Sequence, residues 1–65
     1  MYVAKATIKR MLKEAGAVRV SDSGARKFQE MLNKIAYDAA SKAVKLSKHA
    51  KRKTVEESDV RLAFQ

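Results

Sequence analysis

Sixty-five residues make one small domain at most, and chains this short usually complete a core with disulfides, a metal or a second chain. There is no cysteine, and the single histidine, His49, cannot build a metal centre by itself, so no cofactor is expected and a partner chain is the remaining route. Fifteen Lys and Arg against seven Asp and Glu give a net charge of +8, which makes nucleic acid the first class of partner to consider.

The period is helical almost throughout, with no proline and only two glycines, Gly16 and Gly24. A first helix is expected over about residues 4–15, where Ile8, Met11, Leu12 and Ala15 recur as one apolar stripe. Gly16 follows the stripe and can take the left-handed conformation that ends a helix. Val18 and Val20 favour an extended path through the break. Ser21 and Asp22 then offer side-chain oxygens as an N-cap, which Gly24 in the first turn weakens by about 1 kcal/mol relative to alanine.

A second helix is expected over about residues 22–50, because nothing stops it. Ala25, Phe28, Leu32, Ile35, Ala39, Ala43, Leu46 and Ala50 step by threes and fours, and Met31, Ala36, Ala40 and Val44 widen this into a second stripe. Lys51-Arg52-Lys53 breaks the pattern. Thr54-Val55-Glu56-Glu57 then reads as a capping box for a last helix over about residues 55–65, with Val60, Leu62, Ala63 and Phe64.

Two flanking helices of about 15 Å each cannot cover both stripes of a central helix roughly 40 Å long. A lone chain would expose Phe28, Leu32, Ile35 and their neighbours as a continuous apolar patch, which soluble monomers rarely tolerate. Two such helices crossing near the small Ala36, Ala39 and Ala40 would hide both patches, so the dimer is expected to be the folding unit.

At this point the chain resembles the archaeal histones. The residues that carry the resemblance are Ala15-Gly16-Ala17, Arg19-Val20-Ser21-Asp22, Ala40-Ser41, Ala43, Lys45-Leu46, His49-Ala50, Arg52-Lys53-Thr54 and Asp59. Their joint spacing runs without a gap over about residues 8–63. The resemblance implies an all-α histone fold, short helix–long helix–short helix, as a single domain that forms a head-to-tail intertwined homodimer. Three departures stand out. Ala4 and Thr7 occupy positions where the family often has prolines, so a longer or looser approach to the first helix is expected. Lys51 stands where a glycine is common, adding charge but losing an easy helix stop. The sequence ends at Gln65 without the basic tail of the eukaryotic kind, so tail-based signalling is not expected.

The resemblance also implies site roles. Arg19 would enter the minor groove, attracted by its negative potential without reading bases, and Thr54 of the opposite chain would brace it. The plainer reading of Arg19 is a solvated loop charge, and that of Thr54 an N-cap, a role compatible with the brace. Lys53 and the first-helix residues Lys9, Arg10 and Lys13 complete the DNA-binding set, with Lys5 and Lys51 as further phosphate neighbours. Lys42, Lys45 and Lys48 read better as an exposed solubilising face. Arg52 is expected to pair with Asp59 within the chain, the alternative being a phosphate contact. Leu46, His49, Asp59 and Leu62 would form a contact between dimers, with His49 meeting Asp59 of the next, and Gly16 would lie where successive superhelical turns stack.

The function these expectations add up to is sequence-tolerant binding, bending and wrapping of double-stranded DNA, by homodimers that assemble into tetramers and higher multimers. A heterodimer with a sister histone stays open, as does a histone-fold subunit of a transcription or replication complex. The setting implied is an archaeal cytoplasm, on the nucleoid. No run of apolar residues is long enough to span a bilayer, Met1–Lys5 lacks the apolar stretch of a signal peptide, and acidic Glu30 and Asp38 punctuate the polar side of the long helix, so no membrane partner or export is expected. With one histidine, no cysteine, no glycine-rich phosphate loop and no paired carboxylate in a pocket, an enzyme is not expected.

Overall fold

The computed structural model describes residues 2–65, which fold as three α-helices: α1 (Lys5–Glu14), α2 (Asp22–His49) and α3 (Glu57–Ala63). The order short–long–short follows the hydrophobic periods. The chain divides into two compact units, one reaching to Lys34 and one running from Ile35 to Gln65.

In the first unit, α1 starts one residue later than its apolar period suggests, after an extended Ala4 with no side chain to cap it. The approach to α1 is tied to α2. Val3 donates its N–H to Asn33 Oδ1 at 3.0 Å, and its carbonyl accepts from Gln29 Nε2 at 2.7 Å. Two amide side chains one helical turn apart on α2 thus hold both backbone groups of a residue that could otherwise only bond to water. Ile8 is fully buried, and Ala25 and Gln29 are buried with it. The end of α1 is a Schellman turn: Ala17 N–H reaches Leu12 O and Gly16 N–H reaches Lys13 O, both at 3.0 Å. Gly16 takes φ 119, which a side chain would resist. At the start of α2, Ser21 Oγ accepts the N–H of Gly24 at 3.0 Å, the N-cap that the sequence offers.

In the second unit, Ala39 and Ala43 of α2 pack with Ala63 of α3, and Ser47 is buried with its hydroxyl donating to Val44 O at 2.9 Å. Ala39 therefore faces its own α3. Ala36 is half-buried and Ala40 exposed. α2 ends on a second Schellman turn, with Arg52 N–H to Ser47 O and Lys51 N–H to Lys48 O, both at 2.9 Å. Here the left-handed residue is Lys51, at φ 61. The helix stop survives without glycine, at a cost in backbone strain.

The capping box expected at Thr54 and Glu57 does not form. The N-cap of α3 is Glu56, whose N–H donates to the carboxylate of Asp59 at 2.8 Å. The cause is Arg52, whose guanidinium fixes that carboxylate and also donates to Thr54 O at 3.1 Å. With Asp59 immobilised as the third residue of the helix, the cap must fall three positions before it. α3 is accordingly shorter than the expected 55–65 at both ends.

Candidate nucleic-acid interface

The positively charged side chains separate into those the chain uses internally and those it leaves free. On α1, Lys9 belongs to the first group. Its ammonium donates to Asp22 Oδ1 at 2.6 Å, and Lys5 stands 3.9 Å from the same oxygen. The hydrogen bond from Lys9, with the charge of Lys5 behind it, lowers the pKa of Asp22 below its ordinary value. Arg10 and Lys13 are exposed, have no ion pair among the described residues, and line a shallow hollow with Ala6, Lys9 and Glu14. Of the four cations expected on this helix, Arg10 and Lys13 are thus free, while Lys9 and Lys5 stand against Asp22 at the start of α2.

Arg19 lies in the segment between α1 and α2, exposed and without an ion pair among the described residues. Its neighbour Val18 is 90% exposed, so this loop carries an uncovered apolar side chain as well as a free cation. Gly16 sits at the start of the same segment, and nothing lies within 4 Å of where a Cβ would stand.

The segment between α2 and α3 is organised by Arg52. Its two terminal nitrogens donate to the two carboxylate oxygens of Asp59, each at 2.8 Å, and one lies 3.3 Å from Glu56 Oε1. Asp59 is only 3% exposed. The Arg52 hydrogen bonds and the Glu56 N–H pull its carboxyl pKa down to about 2, and the same bonds raise that of Arg52. Arg52 is therefore engaged within the chain, while Lys51, Lys53 and Thr54 are exposed around it. Thr54 offers its side chain to no cap; it is its carbonyl that is used.

Leu46, His49 and Leu62 come together on one shallow hollow of about 570 Å³, lined also by Lys42, Lys45 and Ala63. Asp59, expected in the same cluster, is not among the lining residues, because it is turned in toward Arg52. Among the described residues there is no group of three or more His, Asp or Glu placed to hold a metal ion, and no helix is long and apolar enough to cross a membrane.

Residues 1–64 match the model of the family described as histone-like transcription factor (CBF/NF-Y) and archaeal histone. The chain belongs to this histone-fold family. It is 53% identical over 55 residues to a probable archaeal histone 3 of Methanocaldococcus jannaschii, covering 85% of this chain and 82% of that one. It is 45% identical over 58 residues to a subunit of the archaeal histone HAN1 of Thermococcus zilligii, covering 89% and 87%. The short–long–short helices are thus those of a histone fold, in a family of histones and histone-like transcription factors rather than of enzymes.

Against that fold, two features escaped the sequence reading. The Gln29–Asn33 clamp on Val3 has a signal in hindsight: two amides four residues apart beside an otherwise apolar stripe of α2. The capture of Lys9 by Asp22 has none, since the partners are thirteen positions apart and meet only once α1 has folded back.

Proposed function

We propose that the chain packages double-stranded DNA without reading its sequence, as a single histone-fold domain in a head-to-tail, intertwined homodimer. The observation that carries this reading is the kinship with archaeal histones over nearly the whole chain. Its charge of +8 and its free loop cations support it. Arg10, Lys13, Arg19 and Lys53 contact the backbone and minor groove, and Thr54 of the opposite chain braces Arg19. Lys9 joins them only if a phosphate competes successfully with Asp22.

Dimers extend into tetramers and longer superhelices through Leu46, His49 and Leu62, with the next dimer's His49 approaching Asp59. That carboxylate has about four acceptor positions, and three are filled by Arg52 and the Glu56 N–H; at 3% exposure it must come further into the open for a histidine to reach the fourth. Gly16, exposed and free of crowding, is the position where successive turns approach. The work is done on the nucleoid, in an archaeal cytoplasm.

Micrococcal nuclease digestion of long duplex DNA carrying the protein tests this. A ladder rising in regular increments is expected; protection of a single short length, or of none, would remove the wrapping. A second reading has one observation in its favour: the family also contains histone-like transcription factors, and one relative is named as a subunit. In that case the chain pairs with a different histone-fold chain. Equilibrium sedimentation of the pure protein separates the two, since a stable self-dimer is expected only for the packaging histone.

A further inference from the structure

Two lysines of α1 and the first residue of α2 form a cluster in which the chain supplies its own anion. Lys9 Nζ donates to Asp22 Oδ1 at 2.6 Å, and Lys5 Nζ lies 3.9 Å from the same oxygen. The carboxylate is favoured from a third direction, because Asp22 stands in the first turn of α2, where the helix dipole stabilises negative charge. Two ammonium groups and a helix start are also the surroundings that suit a phosphate. Here a side chain fills that place.

The need for a stable helix start does not account for Asp22. Ser21 caps α2, its Oγ accepting the Gly24 N–H at 3.0 Å, so the carboxylate is not the cap. The side chain of Asp22 is 67% exposed, and an ion pair so open to water adds little to stability. Its effect on charge is larger. Arg10 and Lys13 share a shallow hollow with Lys9 and have no ion pair among the described residues. One basic surface thus contains two free cations and a third that is already neutralised. A phosphate drawing Lys9 away would have to approach a carboxylate in direct contact with that ammonium, and the two anions would repel.

We propose that Asp22 limits the hold of the chain on DNA: its carboxylate takes the place of a backbone phosphate on Lys9, with Lys5 keeping it there, so that Lys9 is withheld from the DNA contact of α1. The inference rests on the DNA-packaging reading and deepens it, naming a residue that sets affinity by competing with the ligand instead of touching it.

The test compares the parent with Asp22→Asn, with the double variant Asp22→Asn/Lys9→Gln, and with Glu30→Gln. The last removes an equal charge from a different exposed pair, Lys27–Glu30 at 3.5 Å. Duplex affinity is measured across a salt series, with a thermal melt of each free protein. Asp22→Asn should bind severalfold more tightly, with a log affinity–log salt slope steeper by about 0.9 per chain, or about 1.8 per homodimer. It should melt no higher than the parent, so a gain in stability is not the source of the tighter binding. The double variant should return to the parental slope, and Glu30→Gln should keep it. An Asp22→Asn chain with the parental slope would overturn the role of Asp22. So would an equal steepening in Glu30→Gln, which would trace the effect to net charge, or a steepening that survives the loss of Lys9. A parent chain that shows no salt-dependent binding to duplex DNA would overturn the packaging reading, and this inference with it.

Discussion

Asp59 is the residue through which pH should act on stability. Its carboxyl titrates at about 2 in the folded chain, against about 3.9 for a free aspartate, because Arg52 and the Glu56 N–H favour the charged form. The folded state therefore binds this proton less readily than the unfolded one. The stabilisation is complete above about pH 4 and is lost as pH falls toward 2. Melting temperatures of the parent should fall through that window. Asp59→Asn should be less stable at neutral pH, and the gap to the parent should close by about pH 2; a gap that stays constant would take the carboxylate out of the account. The two glycines offer a separate contrast at this scale. At Gly16 a Cβ would meet nothing, yet φ 119 resists any side chain, so Gly16→Ala should destabilise by about 1–2 kcal/mol. At Gly24 the Cβ would stand 2.9 Å from Ser21 Oγ, the cap of α2. There the gain of about 1 kcal/mol in helix propensity is offset by about 1 kcal/mol of weakened cap, and Gly24→Ala should be near neutral in a denaturant titration.

The elements are held at their ends by devices of different range, and range decides which of them the sequence displays. The segment before α1 depends on Gln29 and Asn33. Asn33→Ala should release the Val3 amide to rapid hydrogen exchange while amides in the middle of α2 keep their protection. A Val3 amide that already exchanges at the free rate in the parent would show that the clamp does not hold in solution. Helix order, the long α2 and the Ser21 cap were legible because each follows from neighbours within one or two turns. The start of α3 was not. Thr54 and Glu57 form a local capping motif, but the Arg52–Asp59 ion pair imposes a competing register on the loop, and a charge pair with two hydrogen bonds outweighs a hydroxyl cap. The same distinction runs through the candidate site. Arg19 and Lys53 could be placed from their loops alone, whereas the loss of Lys9 to Asp22 and the turning in of Asp59 needed the folded chain. The left-handed Lys51 could be seen only as a departure from a residue type, since lysine itself carries no signal for that backbone.

At the scale of the molecule, what matters is how little of the apolar surface one chain covers. Among the described residues, the buried hydrophobic ones are Ile8 and four alanines, Ala25, Ala39, Ala43 and Ala63. The larger side chains remain open: on α2 Phe28, Met31 and Ile35 are 38%, 58% and 56% exposed, and Leu62 and Phe64 after them are 53% and 65% exposed. Phe28, Met31 and Ile35 step by three and four, so they form one face of a helix and not scattered exceptions. Burying a side chain of this size contributes about 1.5–3 kcal/mol, and a handful of them per chain exceeds what an alanine-lined interior can supply. In the proposed homodimer a second copy covers that face, and folding and association are then expected to be one equilibrium. The melting temperature should then fall steadily as the protein is diluted from the micromolar to the nanomolar range, with a single transition throughout. Ile35→Lys, placed on the open face, should abolish the folded state at concentrations where the parent is folded, because it puts a charge where the proposed second chain would pack. A transition independent of concentration, together with a folded Ile35→Lys chain, would mean that the face stays in water and that the shared core does not exist.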